Sequence, residues 1–114
     1  MDHVQIIIDT LKGAGIIAYR IAESTGTVKR PYVVVHDQGV AAQTRMTGQQ
    51  VYELVCLAPR SDQAAIYTLM AETKKAMGKV PRYVFTGDQA PTGIEREFDG
   101  ISQSLIYRMP RRLQ

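Results

Sequence analysis

The side chains of this 114-residue chain that could do chemistry are few: two histidines, one cysteine and eleven carboxylates. Nucleophilic catalysis would fall to Cys56, but Cys56 lies within residues 51–58, an alternating, largely apolar run. A thiol buried among apolar neighbours has a raised pKa and behaves as a small hydrophobe. His36 is followed by Asp37, a pairing that can orient an imidazole for catalysis. In a strand, however, successive side chains point to opposite faces, so these two are not expected to meet. His3 is read as exposed. Two histidines and one cysteine have no metal-ligand spacing, no Cys-x-x-Cys pair and no partner for a disulfide. Glu95, Glu97 and Asp99 alternate along one face of an extended segment, with Arg96 on the other. That pattern reads as a solvated edge, with a subunit salt-bridge patch or an oxygen-ligand cation site as alternatives. Gly13-Ala14-Gly15 lacks the third glycine of the dinucleotide fingerprint and follows a helix, whereas that motif follows a strand. The expectation is a protein without catalytic residues, cofactor or metal, and so not an enzyme.

The elements that would position these residues are clearer. Val4, Ile7, Ile8 and Leu11 repeat at helical spacing, Asp2 supplies an N-cap, and Gly13 and Gly15 end the helix. Residues 16–22 read as a strand, 23–29 as a polar turn around Gly26, and 32–36 as a β-branched strand opened by Pro31. Residues 39–50 hold two glycines, two alanines and three glutamines, and read as a long hairpin connection, partly extended and mobile. The 51–58 strand stops at Pro59. Asp62 then caps a second helix, whose apolar stripe is Ala65, Ile66, Leu69, Met70, Thr73 and Met77 and whose end is Gly78. Residues 83–85 form a strand, 87–93 a loop, 94–98 a possible short strand, and 101–109 a long alternating strand ended by Pro110. The order predicts one α+β domain: a two-layer sandwich with a mostly antiparallel sheet of four to five strands and two helices on one face.

The net charge is +3 with a pI near 9.2. Arg108, Arg111 and Arg112 fall in the last seven residues with no acid among them, so this tail alone carries the excess. A nucleic-acid binder spreads a basic face over a whole element. The basic tail, about 110–114, therefore reads first as a solvated terminus, with a phosphate- or partner-contacting arm as the alternative. No run of eighteen apolar residues or leader-like stretch is present, so neither a membrane span nor a signal peptide is expected.

Several of these features together resemble a known family. They are the helix of residues 6–15 with its glycine exit, the Arg30-Pro31-Tyr32-Val33-Val34 strand, and the Tyr52-Glu53-Leu54-Val55 strand that runs through Pro59 and Asp62 into the second helix. The closing strand 102–109, after an acidic, glycine-bearing connection, completes them. This order resembles the tail-terminator and tail-completion proteins of long-tailed bacteriophages, over nearly the whole chain and by pattern, since these families share no short diagnostic motif. The resemblance implies a non-catalytic virion protein that forms a ring, often hexameric, at the head-proximal end of the tail. Such a ring stops tube polymerisation and offers the head-joining surface. It implies as partners further copies of the chain, the tail tube protein and a head-completion or connector protein, with DNA passing through the lumen without sequence-specific binding. Candidate contact residues are Arg45, Glu95, Arg96, Glu97, Arg108, Arg111 and Arg112. A head-side neck protein, a small-molecule-binding regulatory module and a nucleic-acid-binding accessory are the competing readings.

Overall fold

A computed structural model of the chain describes residues 2–21, 30–42, 47–89, 93–95 and 100–112. In chain order the elements are α1 (His3–Gly13), β1 (Ala18–Arg20), β2 (Tyr32–Ala42), β3 (Thr47–Pro59), α2 (Gln63–Met77), β4 (Val84–Gln89), β5 (Gly93–Glu95) and β6 (Gly100–Arg112). The sheet runs β1-β2-β3-β6-β4, and β5 pairs with the start of β6. Every pairing is antiparallel except β1 with β2, which is parallel. The architecture is the expected α+β sandwich.

Local chemistry sets the helix ends. Asp2 accepts from the Gln5 backbone N–H at 3.1 Å, and its carboxylate also binds Arg20. The Gln5 N–H, followed by the Arg20 guanidinium, holds the Asp2 carboxyl below the usual carboxylate range. At the other end Gly15 takes φ +82, a left-handed conformation that favours glycine, and Ile16 N–H donates back to the Leu11 carbonyl at 3.0 Å. Asp62 caps α2 by accepting from the Ala65 N–H at 3.3 Å. The buried stripe of α2 is Ile66, Leu69, Met70, Thr73, Ala76 and Met77.

One register explains the core. Val33 pairs with Cys56 and Cys56 with Gln103, while Val35 pairs with Leu54 and Leu54 with Leu105. These rows, with Ala18, Tyr52, Ala58, Ile101 and Tyr107, lie on the face under the helices and are buried in a single cluster with Ile7, Leu11, Ile66 and Met77. Because side chains alternate with period two, a slip of one residue would turn the whole set outward.

The structure departs from the sequence-based expectation at residues 39–50. Instead of a long connection, residues 40–42 pair with 50–48, and 47–50 pair in turn with 112–109 of β6. Nor is the basic end a loose tail, since β6 continues through Pro110 to Arg112. Both differences have one cause. At 13 residues each, β3 and β6 span about 43 Å at roughly 3.3 Å per residue, whereas the 15-residue α2 covers only about 22 Å at 1.5 Å per residue. Backbone pairing thus extends past the end of the helical layer and builds a three-stranded arm, consistent with a molecule 47 × 26 × 24 Å in extent. Pro110 is tolerated because β4 reaches only as far as Arg108, which leaves residues 109–112 as an edge among the described residues. Three smaller differences concern strand ends: β1 is shorter than 16–22, β4 extends into the expected 87–93 loop, and β5 ends at Glu95. The 23–29 turn, the second half of the 94–98 strand and the hairpin tip lie outside the described residues.

A β-bulge marks the root of the arm. Asp37 faces Tyr52 and Gly39 faces Val51, so Gln38 is the extra residue, and Asp37 Oδ1 accepts from the Gly39 N–H at 2.8 Å. Gly39 sits at φ +90 with open space where a Cβ would stand. Gly39→Ala is therefore expected to destabilise the fold by about 1–2 kcal/mol through backbone strain alone, measured by urea denaturation. Unchanged stability would show that the bulge relaxes.

Candidate functional site

Under the helices, the chemistry-bearing groups are locked into structure. Cys56 is fully buried, and burial pushes its thiol up to about 12, against smaller opposing pulls from the Thr73 hydroxyl and Lys74. Burial likewise raises the Tyr107 phenol to about 12, with Cys56 adding to the shift, and raises that of Tyr83. A thiol held neutral in this way is no nucleophile. Thr73 Oγ1 is also fully buried and has no hydrogen bond of normal geometry.

His3 is not exposed as the sequence suggested. It is half-buried, its Nδ1 lies 2.7 Å from the Tyr83 hydroxyl, and its ring packs near Tyr52 and edge-on to Tyr83. These contacts tie the start of α1 to β3 and to the approach to β4, which is a structural role. His36 and Asp37 diverge as expected. His36 Nδ1 lies 3.7 Å from Glu53 Oε1, which also accepts from Gln38, while Asp37 Oδ1 accepts from the buried Gln50 amide. Among the described residues no group of three or more His, Cys, Asp and Glu could hold a metal ion. Two shallow depressions flank α2. The larger, about 350 Å³, is lined by Pro31, Asp62, Ala65, Thr68, Leu69 and Glu72, and the Asp62 carboxylate there already serves as the helix cap.

The sheet face turned away from the helices is a different kind of surface. The register sets Tyr19, Val34, Val55 and Ser104 in one row, and Tyr32, Leu57 and Ser102 in the next. His36, Glu53 and Ile106 form a third row, and Val51, Arg108 and Val84 a fourth. No described helix contributes to this face. Tyr19 and Val84 are 37% and 40% exposed, whereas Tyr32, Val34, Val55 and Ile106 are half-buried by their neighbours. The Tyr19 and Tyr32 rings meet edge to face, with centroids 5.4 Å apart. The result is an apolar patch with an aromatic ridge over β1 and β2, in which Leu57 and Ser104 are buried and Tyr19 and Val84 stand most exposed.

Of the residues singled out in the sequence, Arg108 lies on this face at the root of the arm, and Arg111 and Arg112 follow on β6, opposite Gly48 and Thr47. Glu95 ends β5, paired with Gly100 at the opposite end of β6. Arg45, Arg96 and Glu97 lie outside the described residues. The sequence reading placed both helices on one face of the sheet but did not single out the residues of the other face, among them Tyr32, Val34, Val51, Val55 and Leu57.

Two predictions follow from the buried groups. The ordinary values for Cys56 and Tyr107 are 9.0 and 10.0 and the folded values are near 12, so both groups favour the folded state while protonated. That stability is complete below pH 9 and is lost as the pH climbs toward 12. The thermal midpoint should fall over this window, and Cys56→Ala should blunt the early part of the fall even though it lowers stability at neutral pH. A midpoint flat across the window would contradict the assignment. Thr73→Val should raise stability by about 1 kcal/mol, because it removes a buried hydroxyl that makes no hydrogen bond of normal geometry. Chemical denaturation checks this, and a loss of stability would mean that the hydroxyl is satisfied.

No protein-family model and no curated protein matches the chain. A similar solved structure is the core region of PilO from the type IV pilus system of Pseudomonas aeruginosa, at 9% identity and TM-score 0.48, covering 94% of this chain and 92% of that one. This corrects the expectation of a phage protein that caps the tail tube and joins the head, since the structure this chain is similar to comes from a pilus system and not from a phage tail.

Proposed function

We propose that this chain is a non-catalytic assembly protein that binds a second copy of itself through the open face of its sheet. The observation that carries the reading is the apolar patch of Tyr19, Tyr32, Val34, Val55 and Ile106, which the two-layer architecture leaves without a helix. A two-fold axis lying in the plane of the face and parallel to the strands would set the tyrosines of β1 and β2 in one copy against the serines of β6 in the other, the isologous arrangement typical of paired identical subunits. Tyrosine suits this role, with an apolar body for the centre of a contact and a hydroxyl for its rim. The rows from Tyr32 to Val84 cover a footprint of roughly 400 Å² at strand spacings near 4.8 Å. A stable complex uses about 800 Å² per partner, so the association should be reversible and depend on concentration.

Sedimentation equilibrium across a concentration series tests the reading. The wild-type protein should shift from monomer to dimer as its concentration rises. Val55→Lys, at the centre of the patch, and Tyr19→Lys, at its exposed edge, should stay monomeric while keeping the wild-type circular dichroism. A wild-type protein that remains a monomer throughout, or a folded Tyr19→Lys protein that pairs as well as wild type, would overturn it.

A further inference from the structure

The third row of the open face sets a histidine against a carboxylate. His36 on β2 and Glu53 on β3 are directly opposite in the register, and His36 Nδ1 lies 3.7 Å from Glu53 Oε1. Both side chains are partly shielded, at 38% and 23% exposed. Glu53 Oε1 also accepts from the Gln38 amide at 3.1 Å, a bond that holds the carboxylate in place but leaves its charge uncompensated. The imidazole compensates that charge only when it is protonated. The neighbouring elements supply no other pH-dependent partner among the described residues. Arg108 on β6, opposite Val51, stands one row away and diagonal to Glu53, and arginine keeps its charge throughout. Arg20 on β1 turns to the helix side, where it binds Asp2 and Gln5. Asp37, beside His36 in sequence, accepts from the Gly39 N–H and the Gln50 amide on the other side of β2. Thr86 on β4 donates to the Ile106 carbonyl.

We infer that protonation of His36 strengthens the pairing of copies through this face, which makes the association a pH-dependent switch. The inference rests on the face-to-face pairing proposed above. A two-fold axis that sets β2 of one copy against β6 of the other runs over β3, the middle strand of the order β1-β2-β3-β6-β4. It turns each row toward the same row of the other copy, so that Val55 and Glu53 each face their own symmetry mate and His36 faces Ile106. Packed sheets lie about 10 Å apart, so the two Glu53 side chains approach each other across the axis. With neutral imidazoles the contact would enclose two like charges, which opposes closure. With both imidazoles protonated, each copy brings a neutral pair. Burial alone disfavours an imidazolium, but here its loss would strand a carboxylate, and removing one member of a buried pair costs more than burying the pair. Closing the contact therefore favours the protonated form, and by reciprocity protons favour the contact. Association takes up protons and tightens as the pH falls through the range in which histidine gains its charge, about pH 8 to 5.

Sedimentation equilibrium of the full chain at about pH 8 and about pH 5.5, at one ionic strength, tests the switch within that range. The wild-type dissociation constant should fall by about tenfold or more on acidification, the equivalent of one pKa unit of coupling. Glu53→Gln removes the facing charges and should pair at the higher pH at least as tightly as wild type does at the lower, with no pH dependence. His36→Gln should keep the weaker affinity at both. Circular dichroism at both pH values confirms that each variant is folded. Equal wild-type association at the two pH values would overturn the inference and leave the pairing of faces standing. A His36→Gln protein that tightens on acidification as wild type does would also overturn it. Wild type and Glu53→Gln that are both monomeric at both pH values would overturn the pairing itself, and the switch with it.

Discussion

The mismatch between strand length and helix length governs this molecule. Over the first half of β6 the sheet has a helix above it, and its register is fixed by burial: Leu54 against Leu105 and Ala58 against Ile101, with Val33 and Val35 alongside. Over the second half the ladder continues without that cover. The arm can adopt no register of its own, because it grows from strands already aligned in the core. The Asp37–Gly39 bulge and the Asp37–Gln50 hydrogen bond mark the changeover, where pairing alone takes over from packing. Extending a strand that is already nucleated costs less than starting a new one, because the chain ends have already been brought together. A segment rich in glycine, alanine and glutamine can therefore be β-structured here although it would not be so in isolation.

This arrangement also explains where the chemistry went. Every titratable or polar group that the sequence offered as a candidate reagent and that lies under the helices is held neutral or bonded to a neighbour. Cys56 and Tyr107 are desolvated, His3 is hydrogen-bonded to Tyr83, and Asp37 holds Gln50 and the turn at Gly39. Asp2 is divided between the α1 cap and Arg20, which fastens the end of β1 to the start of α1. These groups specify the fold. What the fold presents outward is an apolar patch on the sheet face turned away from the helices.

Much of the fold was legible because it is written locally. Asp2 and Asp62 announce the helix starts, Leu11 and Met77 fall in phase with their stripes, and the alternation of Ile101, Leu105 and Tyr107 marks the helix-facing side of β6. What was not legible depends on partners distant in sequence. Residues 47–50 become strand because 109–112 lie beside them, and no periodicity within either segment records that. The parallel pairing of β1 with β2 is invisible for the same reason. Burial of His3 depends on Tyr83, which is 80 positions away. Helices on one face only were expected, but which residues share the other face depends on the cross-strand register, such as Val34 against Val55, and not on either strand alone. The expected tail-cap function came from the order of elements, and that order can be shared by proteins of different function.

The edges of the sheet bear on how such a chain would assemble. A long bare strand edge invites pairing with other chains, and native proteins blunt it with proline, charge or short strands. This sheet does all three: β1 is only three residues long, β4 is offset by a bulge, and the exposed stretch of β6 contains Pro110 between Arg108 and Arg111. Edge-to-edge growth is thereby disfavoured, and the proposed pairing of copies would fall to the face. A face contact is discrete and closes on itself, whereas edge pairing could continue without limit.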